Sequence, residues 1–513
     1  MAEKDCIKKT VFFSFFVLLS ICGVLLAILW PLAFNRLLEE ELSLKTGSKS
    51  YEAWKNTTLP LYLDFYMFNW TNPEESLSNS QVKPILVERG PYVFREVHEK
   101  LNLTWNANGT VSYWQRRTWY FEPSLSNGSL TDVITSVNVV AVTIANMVDQ
   151  IHIDGFKAEL VKKIINIFLK NSEKKLYIKK TVKELLFEGY EDGILDLLKQ
   201  LEPFIHMPVE SRFGWFYPRN TSETYDGLVN IHTGVQDITQ LGMMGAWNYM
   251  NETHYYTGQC GTIQGSAGDL YPPRISKQES FSIYATDICS GIKMQSTNEA
   301  ILIQDLPGII FKADRNVFDN GSHSHESSCY CPANKCSELA GIRDLSPCKK
   351  GAPAFLSFPH FYLGDPVLSN AIQGLSPNES KHEFSLILEK NTGIPLQVNA
   401  RLQINILLRK IKDLDITSGL THLVMPTLWF HQHTVIPQEM ADELRPLSSI
   451  PTLAFTIALS LFMVGLVGLM VGFVCVKKGY FSSAESLEGP LLGDATRSEN
   501  NSTPPLNPPQ ETS

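Results

Sequence analysis

The 513-residue chain has no excess of basic charge. Its 44 Lys and Arg stand against 53 Asp and Glu, a formal net charge of -9. Such a balance gives no global attraction to nucleic acid, so any basic partner surface has to be local. The familiar catalytic signatures are also missing. There is no nucleophile elbow and no H-E-x-x-H. The glycines from Gly258 to Gly268 are not followed by Gly-Lys-Ser/Thr, so they read as turns and not as a phosphate loop. His360, in SFPHF, and His382, in SKHEF, then read as structural histidines. No catalytic residue, metal ligand or cofactor is expected. Internal repeats and long low-complexity linkers are absent from the middle of the chain, which reads as one large domain.

Charge is absent altogether from two stretches, Val11 to Leu29 and Leu453 to Val476. A bilayer core takes about 20 apolar helical residues, so both are long enough to span. A cleaved signal peptide is the alternative for the first, but its apolar run is long for that and no A-x-A site follows. Lys4, Lys8 and Lys9 precede the first span, Glu39, Glu40 and Glu41 follow it, and Lys477 and Lys478 follow the second. The positive-inside rule places both ends in the cytoplasm. The expected order is a cytoplasmic N-terminus (1–9), a span (10–32), an exoplasmic or luminal domain (33–450), a second span (451–476) and a cytoplasmic tail (477–513). A two-pass protein of the plasma membrane, the endosome–lysosome membrane, or both, is implied.

Two patterns agree with that topology. Nine N-x-S/T sequons, at Asn56, Asn69, Asn102, Asn108, Asn127, Asn220, Asn251, Asn320 and Asn378, lie between the spans and suggest glycosylation. Cys6, Cys22 and Cys475 lie in or beside the spans, and juxtamembrane Cys6 and Cys475 suit palmitoylation. The other six cysteines fall between residues 260 and 348, three of them in CYCPANKC. An even number in an oxidising compartment reads as a disulfide framework. Zinc would need a second matching pair that the spacing lacks, and His323 and His325 sit in a polar Gly/Ser loop. Spacing alone leaves fifteen connectivities open.

Short strand-like runs dominate the middle, among them Leu61 to Trp70, Val111 to Phe121, Ala354 to Phe358 and Leu402 to Leu408, and predict a mostly antiparallel β architecture. The signals turn helical from about Thr131 to Leu201. Phe156, Leu160, Ile164 and Phe168 recur as one apolar helical stripe. Thr181-Val-Lys-Glu184 reads as a capping box. Lys157, Lys162, Lys163, Lys170, Lys174, Lys175, Lys179, Lys180 and Lys183 form a local basic patch. It is either a solvated helical surface or a docking surface for anionic particles, lipid head groups or acidic proteins. His152 is a candidate titrating group between neutral and endosomal pH. The Pro/Ser-rich tail reads as disordered. Within it Glu488, Leu491 and Leu492 approximate an acidic dileucine signal for a cytoplasmic sorting adaptor.

A set of motifs, in order, resembles the class B scavenger receptors. It comprises Glu88-Arg-Gly-Pro-Tyr-Val-Phe-Arg-Glu96, Asn72-Pro-Glu-Glu75, Phe121-Glu-Pro-Ser124, Phe358-Pro-His-Phe-Tyr362, Leu375-Ser-Pro-Asn378, Thr392-Gly-Ile394 and Arg401-Leu-Gln-Ile-Asn405. The flanking spans match as well. Two departures are GTIQGSAG after Cys260, where the family often has a sequon, and Leu185-Leu-Phe-Glu-Gly-Tyr190, which carries one residue more than the similar family motif. The resemblance implies a mixed α+β fold: a large antiparallel β-barrel with an apical helical bundle and an internal hydrophobic tunnel, anchored by two transmembrane helices. It implies the pairs Cys260–Cys329, Cys289–Cys348 and Cys331–Cys336. It also implies a receptor, not an enzyme, that binds lipoproteins, lipids (fatty acids, sterols or phospholipids) or other anionic ligands at the lysine-rich apex. Lipid would then pass through the tunnel to the membrane. The alternative within the family is an endolysosomal cargo receptor that grips a protein and traffics by its tail.

Overall fold

The computed structural model describes residues 2–56, 59–150, 156–171, 175–205, 209–275, 278–331, 339–412 and 414–478. For 2–5, 148–150, 156–162, 171, 201 and 203–205 only the backbone is described. The chain divides into two compact units, Met1–Trp30 with Thr452–Ser513, and Pro31–Pro451.

The larger unit is built on one antiparallel sheet. Its strands are β1 (Leu61–Trp70), β2 (Leu86–Trp105), β3 (Thr110–Phe121), β6 (Val229–His232), β7 (Met244–Trp247), β8 (Ser280–Ala285), β9 (Ser290–Ile303), β10 (Leu306–Ala313), β11 (Arg343–Asp344), β12 (Ala354–Ser357), β13 (Ser385–Glu389), β14 (Pro395–Leu408) and β15 (Leu423–Val435). β4 (Val133–Val137) and β5 (Tyr177–Thr181) form a separate pair. The main path runs β7-β6-β3-β2-β1-β15-β14-β13-β10-β9-β8. Its two edges meet across Gly265–Ser266. Met244 N donates to Gly265 O at 2.8 Å, while Ser266 N donates to Ser282 O and Tyr284 N to Ser266 O, each at 2.8 Å. The sheet is thus a nearly closed barrel, which leaves little free edge. Gly265 has φ +110, and a Cβ there would stand 2.5 Å from Ser282 O, so the closing point takes only glycine. This glycine belongs to the stretch that departs from the family pattern after Cys260.

The four strand-like runs all fall on strands of this barrel. Gly90 of the ERGPY motif sits where the β1–β2 register slips between Phe65 and Met67. Its φ is +127, and a side chain would strike Phe65 O. The motif is therefore a β-bulge signature, with a backbone reason for its glycine.

The segment 131–201 is not wholly helical. Helices Val139–Gln150, Phe156–Asn171 and Gly193–Ile205 are joined by the β4–β5 pair and a π-helical turn at Glu184–Glu188. Tyr177-Ile-Lys-Lys-Thr181 is short and rich in β-formers, and Val133–Val137 gives it a partner. The buried face of helix Phe156–Asn171 is also turned from the expected stripe. Ile165 and Leu169 are buried, Phe168 is half-buried, and Ile164 is exposed. Glu184 accepts from Thr181 N at 2.9 Å, one arm of the expected capping box. Ile144, Ile165, Leu169, Leu186 and Leu198 bind this layer to Phe65, Phe94 and Trp119 of the barrel in one core.

Cys260–Cys329 and Cys289–Cys348 are disulfides that close loops with sequence separations of 69 and 59. Bridges over such loops typically contribute about 2–4 kcal/mol each. Cys331 is disulfide-bonded too, and its expected partner Cys336 lies outside the described residues. Cys6, Cys22 and Cys475 are free.

The smaller unit holds the apolar parts of two long helices, Ala2–Leu42 and Gln438–Lys477, both long and apolar enough to cross a membrane. They pack through small residues. Gly465, Gly468 and Gly472 lie against Phe16 and Phe12, and Gly23 lies against Ala458 and Phe462. Glycine lets spans approach closely in lipid, where helix association rests on packing.

Candidate functional site: an amphipathic cavity within the barrel

Alternation along the strands decides what the barrel interior presents. Leu63 of β1, Trp119 of β3, Leu402 and Ile404 of β14, and Phe430 of β15 all point inward. With Phe384, Phe216 and Trp215 they bound a cavity of about 540 Å³. Helices Val139–Gln150 and Gly193–Ile205 contribute Val140, Met147, Leu195 and Leu198 to its wall. Ligand pockets are commonly about 300–1,000 Å³ and mostly apolar.

The wall is not apolar throughout. Glu96, Arg117, Arg219, Asp226, Asp287 and Lys349 also line it. Arg117 Nε lies 2.9 Å from Asp226 Oδ2 and its Nη1 3.7 Å from Glu96 Oε1. Arg219 Nε donates to Asp226 Oδ1 and Nη2 to Asp287 Oδ2, each at 2.9 Å. Glu96 also takes hydrogen bonds from His98 Nε2 at 2.5 Å and Gln432 Nε2 at 2.7 Å. Burial alone would raise the Glu96 carboxyl, but His98, Arg117 and Gln432 outweigh it and hold it at about 2. Burial acts the same way on Asp287, and Arg219 with Arg117 brings it down to about 2. Part of the Asp287 side chain remains accessible, and it faces the cavity. Burial pulls Lys349 down, opposed by Asp287. Glu210, Arg212 and Lys350 line it as well, so four acids face five bases and the polar wall carries one cation in excess.

The lysines are less of a basic patch than their number suggests. Lys170 Nζ lies 3.3 Å from Asp415, Lys175 2.9 Å from Glu74, Lys180 3.3 Å from Glu184 and Lys183 3.2 Å from Glu188. Lys163 and Lys179 are exposed and form no salt bridge among the described residues, although Lys179 stands near enough to Glu74 to help lower its carboxyl. Lys179 and Lys180 lie on β5, not on a helix. The side chains of Lys157 and Lys162 are not described, and Lys174, His152, and the tail with Glu488, Leu491 and Leu492 lie outside the described residues. Of the sequons, Asn56, Asn102, Asn108, Asn127, Asn251 and Asn378 are exposed, Asn69 and Asn220 half-buried, and Asn320 buried.

His360 and His382 stack with ring centroids 4.4 Å apart. His360 Nε2 lies 2.7 Å from Glu88 Oε2, which also accepts from Trp429 Nε1 at 2.7 Å. The FPHFY and ERGPY motifs thus meet in one polar knot. Sequence reasoning missed this knot and the ionic wall. The available signal was charge at inward-facing strand positions such as Glu96 and Arg117. The partners, far away in the chain, carried no local mark.

A nearly closed antiparallel barrel with a helical layer, an amphipathic interior and two membrane-length helices is the architecture of a membrane-anchored receptor. The chain belongs to the CD36 family, whose model matches residues 12–476. It is 35% identical over 433 residues to Protein peste of Drosophila melanogaster, covering 83% of this chain and 76% of that protein. It is 32% identical over 417 residues to Scavenger receptor class B member 1 of Cricetulus griseus (81% and 79%). It is also 32% identical over 436 residues to Lysosome membrane protein 2 of Rattus norvegicus (84% and 87%). The family consists of receptors and not enzymes.

Proposed function

We propose that this protein is a class B scavenger-type receptor that takes amphiphilic lipid from a lipoprotein particle or other anionic carrier and passes it through the barrel cavity to the membrane. The observation that carries this reading is the cavity itself, apolar on most of its wall and ion-paired on the rest. An acyl or steryl chain gains about 0.8 kcal/mol per buried CH2, and a bilayer destination spares the chain a return to water. The polar wall, with four acids against five bases, suits a zwitterionic or anionic head group better than a cationic one. Kinship with a scavenger receptor supports the receptor role.

The experiment compares wild type with Ala400→Trp, a substitution on the cavity wall, at matched abundance in cells. Particle binding is expected to stay near wild type while uptake of a labelled steryl ester or phospholipid from the particle falls several-fold. Equal uptake by the two proteins would remove the cavity from the transport path.

The cargo-receptor reading has one observation in its favour. Much of the lysine cluster is already paired with the chain's own acids, which leaves a patterned and not a uniformly basic surface. The similarity to Lysosome membrane protein 2 over 87% of its length points the same way. Relocation of the Leu491→Ala/Leu492→Ala variant away from endolysosomal membranes would support it, and an unchanged distribution would count against it.

A further inference from the structure

The outer wall of the barrel carries a second constellation, unconnected with the cavity. Leu63, Phe430 and Gln432 line the cavity, so the pleat turns Asp64, His431 and His433 to the opposite face. Asp64 is the cross-strand partner of His431, and Tyr62 that of His433. Asp64 lies 3.2 Å from His433 Nε2, and its Oδ2 lies 3.9 Å from His431 Nδ1. The two imidazoles stack with centroids 4.5 Å apart. One donor atom from each of the three residues lies within 4.8 Å of the other two. All three side chains are mostly covered, with exposures of 12%, 15% and 31% for Asp64, His431 and His433.

The hydrogen bonds around the cluster fix its chemistry. Asn399 Nδ2 donates to Ser385 Oγ at 3.4 Å, which turns its Oδ1 toward His431 Nε2 at 3.1 Å. With Asn399 Oδ1 as the acceptor, the His431 proton sits on Nε2. Its Nδ1 is left as a bare lone pair directed at a carboxylate oxygen, two acceptors facing each other. A cation between them relieves that opposition. A carbonyl oxygen holding the far N–H is also the usual outer support of a metal-bound imidazole. Arg401 is the cross-strand neighbour of His431. Its Nη1 is engaged by Glu383 O at 2.7 Å, so it lowers metal affinity without occupying the gap.

We propose that Asp64, His431 and His433 form a zinc site that clips β1 to β15, with water completing a tetrahedron. Two imidazole nitrogens and one carboxylate suit Zn2+, whereas Ca2+ and Mg2+ favour all-oxygen sets. Zinc bonds of about 2.0–2.1 Å place donors roughly 3.3 Å apart in a tetrahedron. Small side-chain movements from the present geometry reach that spacing.

The test uses the full chain, purified without a polyhistidine tag, stripped with chelator and dialysed against Zn2+. Elemental analysis is expected to find one zinc per chain more in wild type and in His323→Gln/His325→Gln than in Asp64→Asn or His433→Gln. Zinc is expected to raise the unfolding midpoint of wild type and of the His323/His325 control, and of neither site variant. Equal zinc in wild type and a folded site variant overturns the proposal. Should both site variants misfold, Co2+ bound to wild type decides. Intense visible bands of tetrahedral Co2+ support the site, and only weak octahedral bands overturn it.

Discussion

Arg219 Nη2 donates to Asp287 Oδ2 at 2.9 Å on the wall of the cavity, joining residues 68 positions apart. The same guanidinium holds buried Asp226, so Arg219 is the hub of the polar wall. Removing one partner of a buried pair leaves the other charge stranded, typically at about 3–5 kcal/mol. Arg219→Met is expected to destabilise by that order, read from denaturant unfolding. Asp287→Asn should be milder, because Asp287 is partly accessible. It leaves Arg219 and Lys349 with surplus positive charge and is expected to shift co-purified lipid toward anionic species. Lipid mass spectrometry showing unchanged head-group classes would contradict that role for the wall.

The lysine segment makes a graded prediction. Lys163 and Lys179 are exposed without a salt bridge among the described residues, whereas Lys170 and Lys175 are bridged to Asp415 and Glu74. Surface pairs contribute only about 0–1 kcal/mol to stability, so charge reversal at any of the four should leave folding intact. Lys163→Glu/Lys179→Glu is expected to weaken binding of anionic particles several-fold and to flatten its salt dependence. Lys170→Glu/Lys175→Glu should change both less. Binding isotherms at two salt concentrations separate these outcomes, and equal effects of the two double variants would remove pairing as the organising feature.

Legibility in the sequence followed the range of the interaction. Leu61 to Trp70 could be read as a strand because its apolar pattern and bounding turns are local, and it forms β1. The helix Phe156–Asn171 was legible but its buried face was not. Ile164 and Ile165 are adjacent and equally apolar, and only the packed partner selects Ile165. Away from the cavity, Glu88 reaches His360 across 272 positions and Asp64 reaches His433 across 369. No local pattern can announce such pairs. The family motifs marked the barrel and the disulfides, but the charged wall emerges only once β2, β3 and β15 turn the same face into one barrel.

Histidines depressed by burial, His98 and His382 with His431, shape the acid response of the fold. Burial lowers His98, against the opposing pull of Glu96, and lowers His382 to about 3, aided by His360. Both groups stay neutral in the fold, while the unfolded chain protonates them near pH 6.5. A depressed folded pKa contributes stability that is complete above the unfolded value and is lost as pH falls toward the folded one. The slope is up to about 1.4 kcal/mol per pH unit for each histidine. Glu96 and Asp287, held at about 2, add nothing until pH drops below the unfolded carboxylate range, about 4. The unfolding midpoint is therefore expected to fall between neutral pH and about pH 5, with the ionic wall still charged. His382→Gln should flatten that fall, although it breaks the hydrogen bond from Asn378 N to His382 Nδ1. A wild-type midpoint that holds level or rises over the same interval contradicts the assignment.

The two apolar helices offer a test that involves neither cavity nor surface. Phe16 and Phe12 rest on Gly465, Gly468 and Gly472, and a Cβ at Gly472 would stand 2.7 Å from Phe12 Cε1. A leucine at Gly472 cannot fit without driving the helices apart, and lipid offers the displaced phenyl rings an equally apolar environment. Packing alone therefore sets the preference for contact. With Cys6, Cys22 and Cys475 replaced by Ala, Ser20→Cys and Gly465→Cys face each other across the seam and should crosslink under mild oxidation. Adding Gly472→Leu is expected to lower that yield several-fold, while Gly472→Ala lowers it less. An undiminished crosslink in the leucine variant would show that the glycine seam does not hold the spans together.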